Sequence, residues 1–270
     1  MNTPSRPPGS PLKLTWHGHA TALMDVDGVR LLTDPVMRGR IGPLVRVAPA
    51  VRADAAREID AVLISHLHAD HADGRSLRML DPGTLVIAPE GAGGWLRGQG
   101  ISNVRELAPG SQTTVGGVSI TATPAVHEGR RWRYGKQADS VGYIAAGSLS
   151  CYFAGDTDLF DEMAEMAGSV DAALLPVSGW GPTLGPGHLD PERSAIAAGL
   201  IAPRVAIPIH WGTLALPSVA LRPADPAAPA KDFAARAAEH APDVDVRVLM
   251  PGESTVVEPA TEEGRDERAG

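Results

Sequence analysis

The sequence predicts an α/β protein built as a four-layer αββα sandwich. Three observations carry that expectation. Aliphatic strand-like runs come in two blocks, each followed by helix-compatible segments, so two sheets would stack with helices on their outer faces. Hydrophobic residues fill 43% of the 270 positions but aromatics only 4%, so the core must rest on Val, Ile, Leu and Ala. Histidines and aspartates recur directly after the aliphatic runs, where a rigid framework presents its functional groups.

The elements follow in order. Segments 12–16, 20–26 and 29–34 are strand candidates, and Asp27-Gly28 between the last two is a two-residue hairpin signal. Further strands are expected at 61–65, 84–88, 104–107, 118–122, 141–146, 149–154, 171–177, 205–209 and 246–250. Helices are expected at 74–80 before Asp81-Pro82, at 158–167 before Gly168, from the Asp190-Pro191 cap to a stop before Pro203, and over the alanine-rich 230–240. Segments 35–58 and 178–189 are long for irregular connectors, a length that marks functional loops. Residues 1–10 and 259–270 are expected to be disordered tails flanking one domain, 11–258.

Composition narrows the function. The formal charge is −8, without a Lys/Arg cluster able to track a phosphate backbone, which argues against nucleic-acid binding. The single cysteine, Cys151, lies in an aliphatic run and reads as a buried hydrophobe. The opening residues lack the apolar stretch of a signal peptide, and no apolar run approaches the roughly 20 residues of a membrane span. A cytoplasmic protein with little membrane association is the expectation; the oligomeric state is left open.

One stretch concentrates chemistry. After the run Ala61–Ile64, the sequence Ser65-His66-Leu67-His68-Ala69-Asp70-His71 sets four coordinating side chains within six positions. Burying imidazoles and a carboxylate without partners is costly, and a metal ion compensates them. Alternate residues of extended chain point the same way, so His66 and His68 can converge on one ion while Asp70 and His71 turn toward a second position. His127, Asp156 and His210 each follow another strand candidate, although Asp156 could equally cap the segment after it.

Together these residues resemble the metallo-β-lactamase superfamily. His66, His68, Asp70 and His71 match its H-x-H-x-D-H signature in full, and His127, Asp156 and His210 match the later ligands in order. The resemblance spans Lys13 to about Glu253 and implies a two-metal site at one edge of the sandwich. By that resemblance His66, His68 and His127 hold one ion, Asp70, His71 and His210 the other, and Asp156 bridges. Imidazole and carboxylate ligands without thiolate suit Zn²⁺, with Mn²⁺ or Fe²⁺ tolerated. In the flavodiiron oxidoreductase branch the second motif histidine is typically glutamate, so His68 favours hydrolysis. A hydroxide held by the two ions would be the nucleophile.

"TWHGHATALMDVDGVRLLTDP", "TPAVHEGR" and "GHLDPERSA" before "IPIHWGTLAL" look like the branch of N-acylphosphatidylethanolamine phospholipase D and, more distantly, ascorbate-phosphate lactonase. There His188 matches a substrate-proximal histidine, so Asp70 and His188 are the expected catalytic residues. His19 is expected near the metals. Asp34 either accepts from a ligand imidazole or caps the turn at Pro35. His17 is expected to point outward. Arg130 and Arg131 open a basic loop after His127 and are expected to bind an anionic part of the substrate. The expected activity is hydrolysis of a phosphodiester, lactone or ester of a soluble small molecule. The alternatives are a phospholipase D-like phosphodiesterase acting on lipids, a β-lactam hydrolase and a non-catalytic metal-binding module.

Overall fold

The computed structural model describes residues 10–131, 138–181, 184–220 and 225–259. Trp132, Arg133, Tyr134 and Lys136 of the basic loop, and nearly all of both expected tails, lie outside the described residues. Two seven-stranded sheets form the centre.

In the first sheet, β1 (Leu12–Gly18), β2 (Thr21–Val26) and β3 (Val29–Thr33) make an antiparallel meander. Asp27 and Gly28 turn the second hairpin with φ of 51° and 84°, the left-handed pair that this two-residue loop requires. A short hairpin, β4 (Arg40–Ile41) and β5 (Leu44–Arg46), leaves the sheet before the parallel strands β6 (Ala61–Leu63), β7 (Leu85–Pro89) and β8 (Val104–Leu107) extend it.

The second sheet repeats the plan. Strands β9 (Gln112–Val115), β10 (Val118–Pro124), β11 (Val141–Ala146) and β12 (Ser150–Phe153) are antiparallel. The parallel strands β13 (Ala172–Pro176) and β14 (Val205–Ile209) follow. Next come β15 (Leu214–Ala215), which joins β5 and β4 in a small third sheet, and β16 (Asp245–Val246), at the edge beside β14. Strand β17 (Ser254–Val257) returns to pair with β1.

The layers follow from alternation along strands. Ala61 and Leu63 face the second sheet and join a core with Ile120, Tyr143 and Cys151. Val62 faces the other way, toward Leu77 of α1 (Gly74–Leu77) and Leu96 of α2 (Gly93–Gly98). On the far side, α3 (Pro191–Ile201) and α5 (Ala228–His240) bury Ala195 and Phe233 against the second sheet, with α4 (Pro217–Ala220) lying before α5. The αββα expectation therefore holds. Among the described residues no helix is long and apolar enough to cross a membrane.

Helix α3 starts and stops where its sequence directs. Asp190 accepts a hydrogen bond from the Arg193 amide, Pro191 opens the first turn, and Ala202 leaves in the left-handed region ahead of Pro203. Elsewhere the structure differs from expectation. The segment expected as a helix at 158–167 is a 3₁₀ turn over Asp161–Met166, and Met163 and Met166 are buried three residues apart, the repeat of that tighter helix. At 246–250 only Val246 keeps the ladder, which Pro251 follows closely. Strands β4, β5 and β15 are too short to show a period. Helix α2 starts on Gly93-Gly94, residues that weaken a helical reading.

His17 is not turned outward. It is buried on β1, and its Nε2 has no hydrogen-bond partner. Burial, aided by the Arg46 charge, lowers its pKa to about 4 from 6.5. The native ring stays neutral where the unfolded ring takes up a proton, so stability is lost as pH falls from 6.5 toward about 4. His17→Gln is expected to lose about 2 kcal/mol less than the wild type between pH 7 and pH 5, read from urea denaturation at each pH.

Candidate metal centre

The parallel strands and their antiparallel neighbours end at one edge of the sandwich, and the coordinating residues follow those ends. Asp34 follows β3, His66 comes just after β6, His127 after β10, Asp156 after β12 and His210 after β14. Gly155 is required for this convergence. Its φ is 62°, and a Cβ there would lie 2.5 Å from the Cβ of Ser65. Among the described residues six non-glycines have positive φ, and three of them, His19, Asp34 and His210, belong to this centre. Backbone strain gathers where side chains are held for function.

Two clusters result. In the first, His68 Nδ1 lies 2.9 Å from His66 Nε2 and 3.1 Å from His127 Nε2. In the second, His71 Nε2 and His210 Nε2 are 3.1 Å apart, with Asp70 and His19 within the same group of potential ligands. Asp156 stands between them. Its Oδ2 is 3.2 Å from His71 Nε2 and its Oδ1 3.2 Å from His210 Nε2, and it also groups with His127 and His188.

The opposite ring nitrogens reveal what these contacts are. His71 Nδ1 donates to Asp34 Oδ2 at 2.7 Å, His210 Nδ1 to Ser178 O at 2.6 Å, and His127 Nδ1 to Gly187 O at 2.7 Å. Ser65 Oγ donates to Asp34 Oδ2 at 2.5 Å, leaving its lone pair to accept from His66 Nδ1 at 2.9 Å. Each neutral ring therefore carries its proton on the outer nitrogen and aims a lone pair inward. Asp156 Oδ1, buried beside His210 Nε2, has no hydrogen-bond partner. Converging lone pairs repel unless positive charge lies among them, and these donors fit divalent cations.

The titration behaviour agrees. Burial, reinforced by neighbouring imidazoles, lowers His66 strongly and His68 to about 4; burial likewise brings His210 to about 3 and lowers His127. His71 is the exception. Burial would lower it, but the carboxylates of Asp156, Asp34 and Asp70 outweigh that and raise it. Asp156 and Asp70 move the other way: burial would raise them, yet surrounding histidines hold both well below the usual carboxylate range. A cation among these groups would therefore compete with a proton at His71.

The remaining sequence-predicted residues separate. His19 Nε2 donates to Asp70 Oδ2 at 3.0 Å, and Asp34 accepts from His71. His188 Nε2 lies 3.5 Å from Asp156 Oδ2, an interaction that raises the His188 pKa. Arg130 pairs with Glu128 at 3.3 Å. Arg131 turns inward, to backbone carbonyls. Its Nη1 donates to Leu67 O at 2.9 Å and Ala72 O at 2.8 Å, and its guanidinium sits 4.0 Å from the Trp95 ring centroid. One side chain thereby ties both ends of the loop bearing His68, Asp70 and His71. Arg131→Lys keeps the charge but loses the fork. It is expected to weaken metal binding about tenfold in a chelator competition; a raised KM with unaltered metal affinity would return Arg131 to substrate binding.

Sequence reasoning missed Ser65, although its hydroxyl adjoins His66. It also missed the carbonyls of Ser178 and Gly187, which no side chain signals.

Comparison with known proteins gives the same picture. Residues 29–211 match the β-lactamase superfamily domain. A metal-dependent hydrolase of Methanopyrus kandleri is 34% identical over 251 residues, covering 90% of this chain and 99% of the relative. The N-acyl-phosphatidylethanolamine-hydrolyzing phospholipase D 1 of Caenorhabditis elegans is 31% identical over 230 residues, covering 76% of this chain; the chain spans 65% of that enzyme's length. A solved metallo hydrolase from the hyperthermophilic archaeon Ignicoccus hospitalis superimposes with a TM-score of 0.71 at 26% identity, over 92% of this chain and 99% of its own. With its strand-end histidines and aspartates, the chain belongs to the metallo-β-lactamase superfamily and is a metal-dependent hydrolase.

Proposed function

We propose that this hydrolase is dinuclear and cleaves a phosphodiester, lactone or ester of a small molecule. His66, His68 and His127 would hold one cation, Asp70, His71 and His210 the other, with Asp156 shared. The observation that carries this reading is the inward set of lone pairs, four of the five histidines being fixed by a hydrogen bond on the far side of the ring. The imidazole and carboxylate donors suit Zn²⁺, and Mn²⁺ or Fe²⁺ also fit. Two such ions supply Lewis acidity and a water-derived nucleophile at neutral pH.

The chain's own residues do the rest. The lone cysteine is fully buried away from the cluster, and burial pushes its thiol up, so it serves as core and not as nucleophile. His188 donates through Nδ1 to Gly185 O at 3.1 Å and presents Nε2 at the cleft, where it can give a proton to the scissile group. His188→Ala is expected to lower kcat about a hundredfold with bound metal unchanged. Unchanged kcat and KM would remove His188 from the reaction.

The similarity to the nematode phospholipase favours a phosphodiester among the three bonds. A non-catalytic module is disfavoured because all seven ligand positions are retained. The test is metal analysis of protein purified without chelator, followed by assay against bis-p-nitrophenyl phosphate and a lactone panel. About two ions per chain are expected. Less than one ion per chain, with no turnover after metal addition, would defeat the proposal.

A further inference from the structure

Two cavities lie beside His210. The smaller, about 120 Å³, is lined by Trp180, Leu184, His188 and His210 among others. The larger, about 380 Å³, shares the wall 179–181 with it and extends away from the metal centre over Trp211, Leu214 and Val219. Among the described residues seven large apolar side chains are exposed, and three of them, Val47, Trp180 and Met250, line this larger cavity. Apolar groups left open to water beside a reactive centre mark a binding surface.

The charges around this cavity restrict what it accepts. Its one charged lining residue among those described is Asp225, held 2.8 Å from Lys231 Nζ. Arg131 is engaged by the Leu67 and Ala72 carbonyls and Arg130 by Glu128. An anion entering here would meet a carboxylate whose neighbouring cation, Lys231, is already engaged by it, and would lose its hydration. A neutral apolar group loses nothing comparable and buries area against Trp180 and its neighbours.

We propose that the cavity bounded by Val47, Trp180, Leu214 and Met250 is the subsite for a compact, neutral, apolar arm of the substrate, a phenyl or branched alkyl group joined to the scissile bond. The inference rests on the hydrolase reading above, because the arm reaches the centre past His188 and His210. It adds a neutral apolar arm to the anionic substrate expected from the basic loop. A volume of about 380 Å³ falls at the small end of organic-ligand pockets, which suits a compact group.

The test combines a binding measurement with a rate measurement on the full chain. Metal-loaded wild type, Val47→Asp and Trp180→Ala are titrated with the neutral fluorescent probe N-phenyl-1-naphthylamine. Both side chains are substantially exposed, and thermal melts check that the variants fold. Each variant is expected to weaken probe binding about tenfold. In the same proteins the kcat/KM preference for phenyl over methyl p-nitrophenyl phosphate, or for the matching pair of esters, is expected to fall about tenfold. Equal probe binding in all three folded proteins overturns the subsite, and so does an unchanged phenyl preference. A chain that hydrolyses neither pair but loses the probe in both variants keeps the apolar site and retires the proposed reaction.

Discussion

Asp156→Asn is expected to reduce hydrolysis by about a thousandfold and to leave about one bound ion or fewer per chain. The substitution preserves shape, so the effect isolates charge. Asp156 is 3% exposed, with both oxygens near imidazoles: His71 at 3.2 Å, His210 at 3.2 Å and His188 at 3.5 Å. A neutral amide there cannot balance the two proposed cations, and its NH₂, a donor without an available lone pair, would replace one of the two oxygens that could reach them. Asp156 is also the foremost of the carboxylates that raise His71, so its loss should return that ring toward its ordinary range. Metal content by mass spectrometry, a thermal melt and a turnover assay together check the expectation. A folded Asp156→Asn protein that keeps two ions and wild-type turnover would remove Asp156 from the metal centre.

Much of this centre was legible in the sequence because the two levels coincide. A strand reads as an aliphatic run, and a residue just beyond it must face the sheet's edge, so His66, His127, Asp156 and His210 carried their positions with them. The αββα order was legible for a similar reason: each half is a meander followed by parallel strands and helices. What sequence could not show is direction. Arg131 reads as a cation beside a ligand histidine, and only the fold reveals that it turns back to the carbonyls at 67 and 72. His17 sits on a strand two residues before His19, yet β5 of the small sheet brings Arg46 against its backbone, and that charge joins burial in lowering its pKa. Two- and three-residue strands leave no periodicity from which that sheet could be read.

Asp34→Asn is expected to cost both metal affinity and stability, which sets it apart from Asp156→Asn. Asp34 is wholly buried and accepts three hydrogen bonds: from the Ser65 amide at 2.7 Å, from Ser65 Oγ at 2.5 Å and from His71 Nδ1 at 2.7 Å. Burial raises its pKa, and the hydrogen bonds from His71 and Ser65 oppose that rise. All three partners are donors, so an asparagine must set its own NH₂ against at least one of them. If the amide oxygen serves the Ser65 N–H, the NH₂ faces both the hydroxyl and the imidazole. His71 then does best by moving its proton to Nε2, which ends its inward lone pair, and Ser65 turns away from the geometry that accepts from His66. One carboxylate thus orients a histidine in each cluster. The expected results are a 10–100-fold weaker metal affinity, about the range for lost partners of ligand histidines, and destabilisation of about 2–4 kcal/mol from unmet buried donors. Chelator competition measures the first and urea denaturation of metal-free protein the second. Serine at position 34 would separate the two contributions, since a hydroxyl can still accept one of the three bonds. Should Asp34→Asn bind metal as tightly as the wild type, the tautomers of His66 and His71 are fixed by something other than this carboxylate.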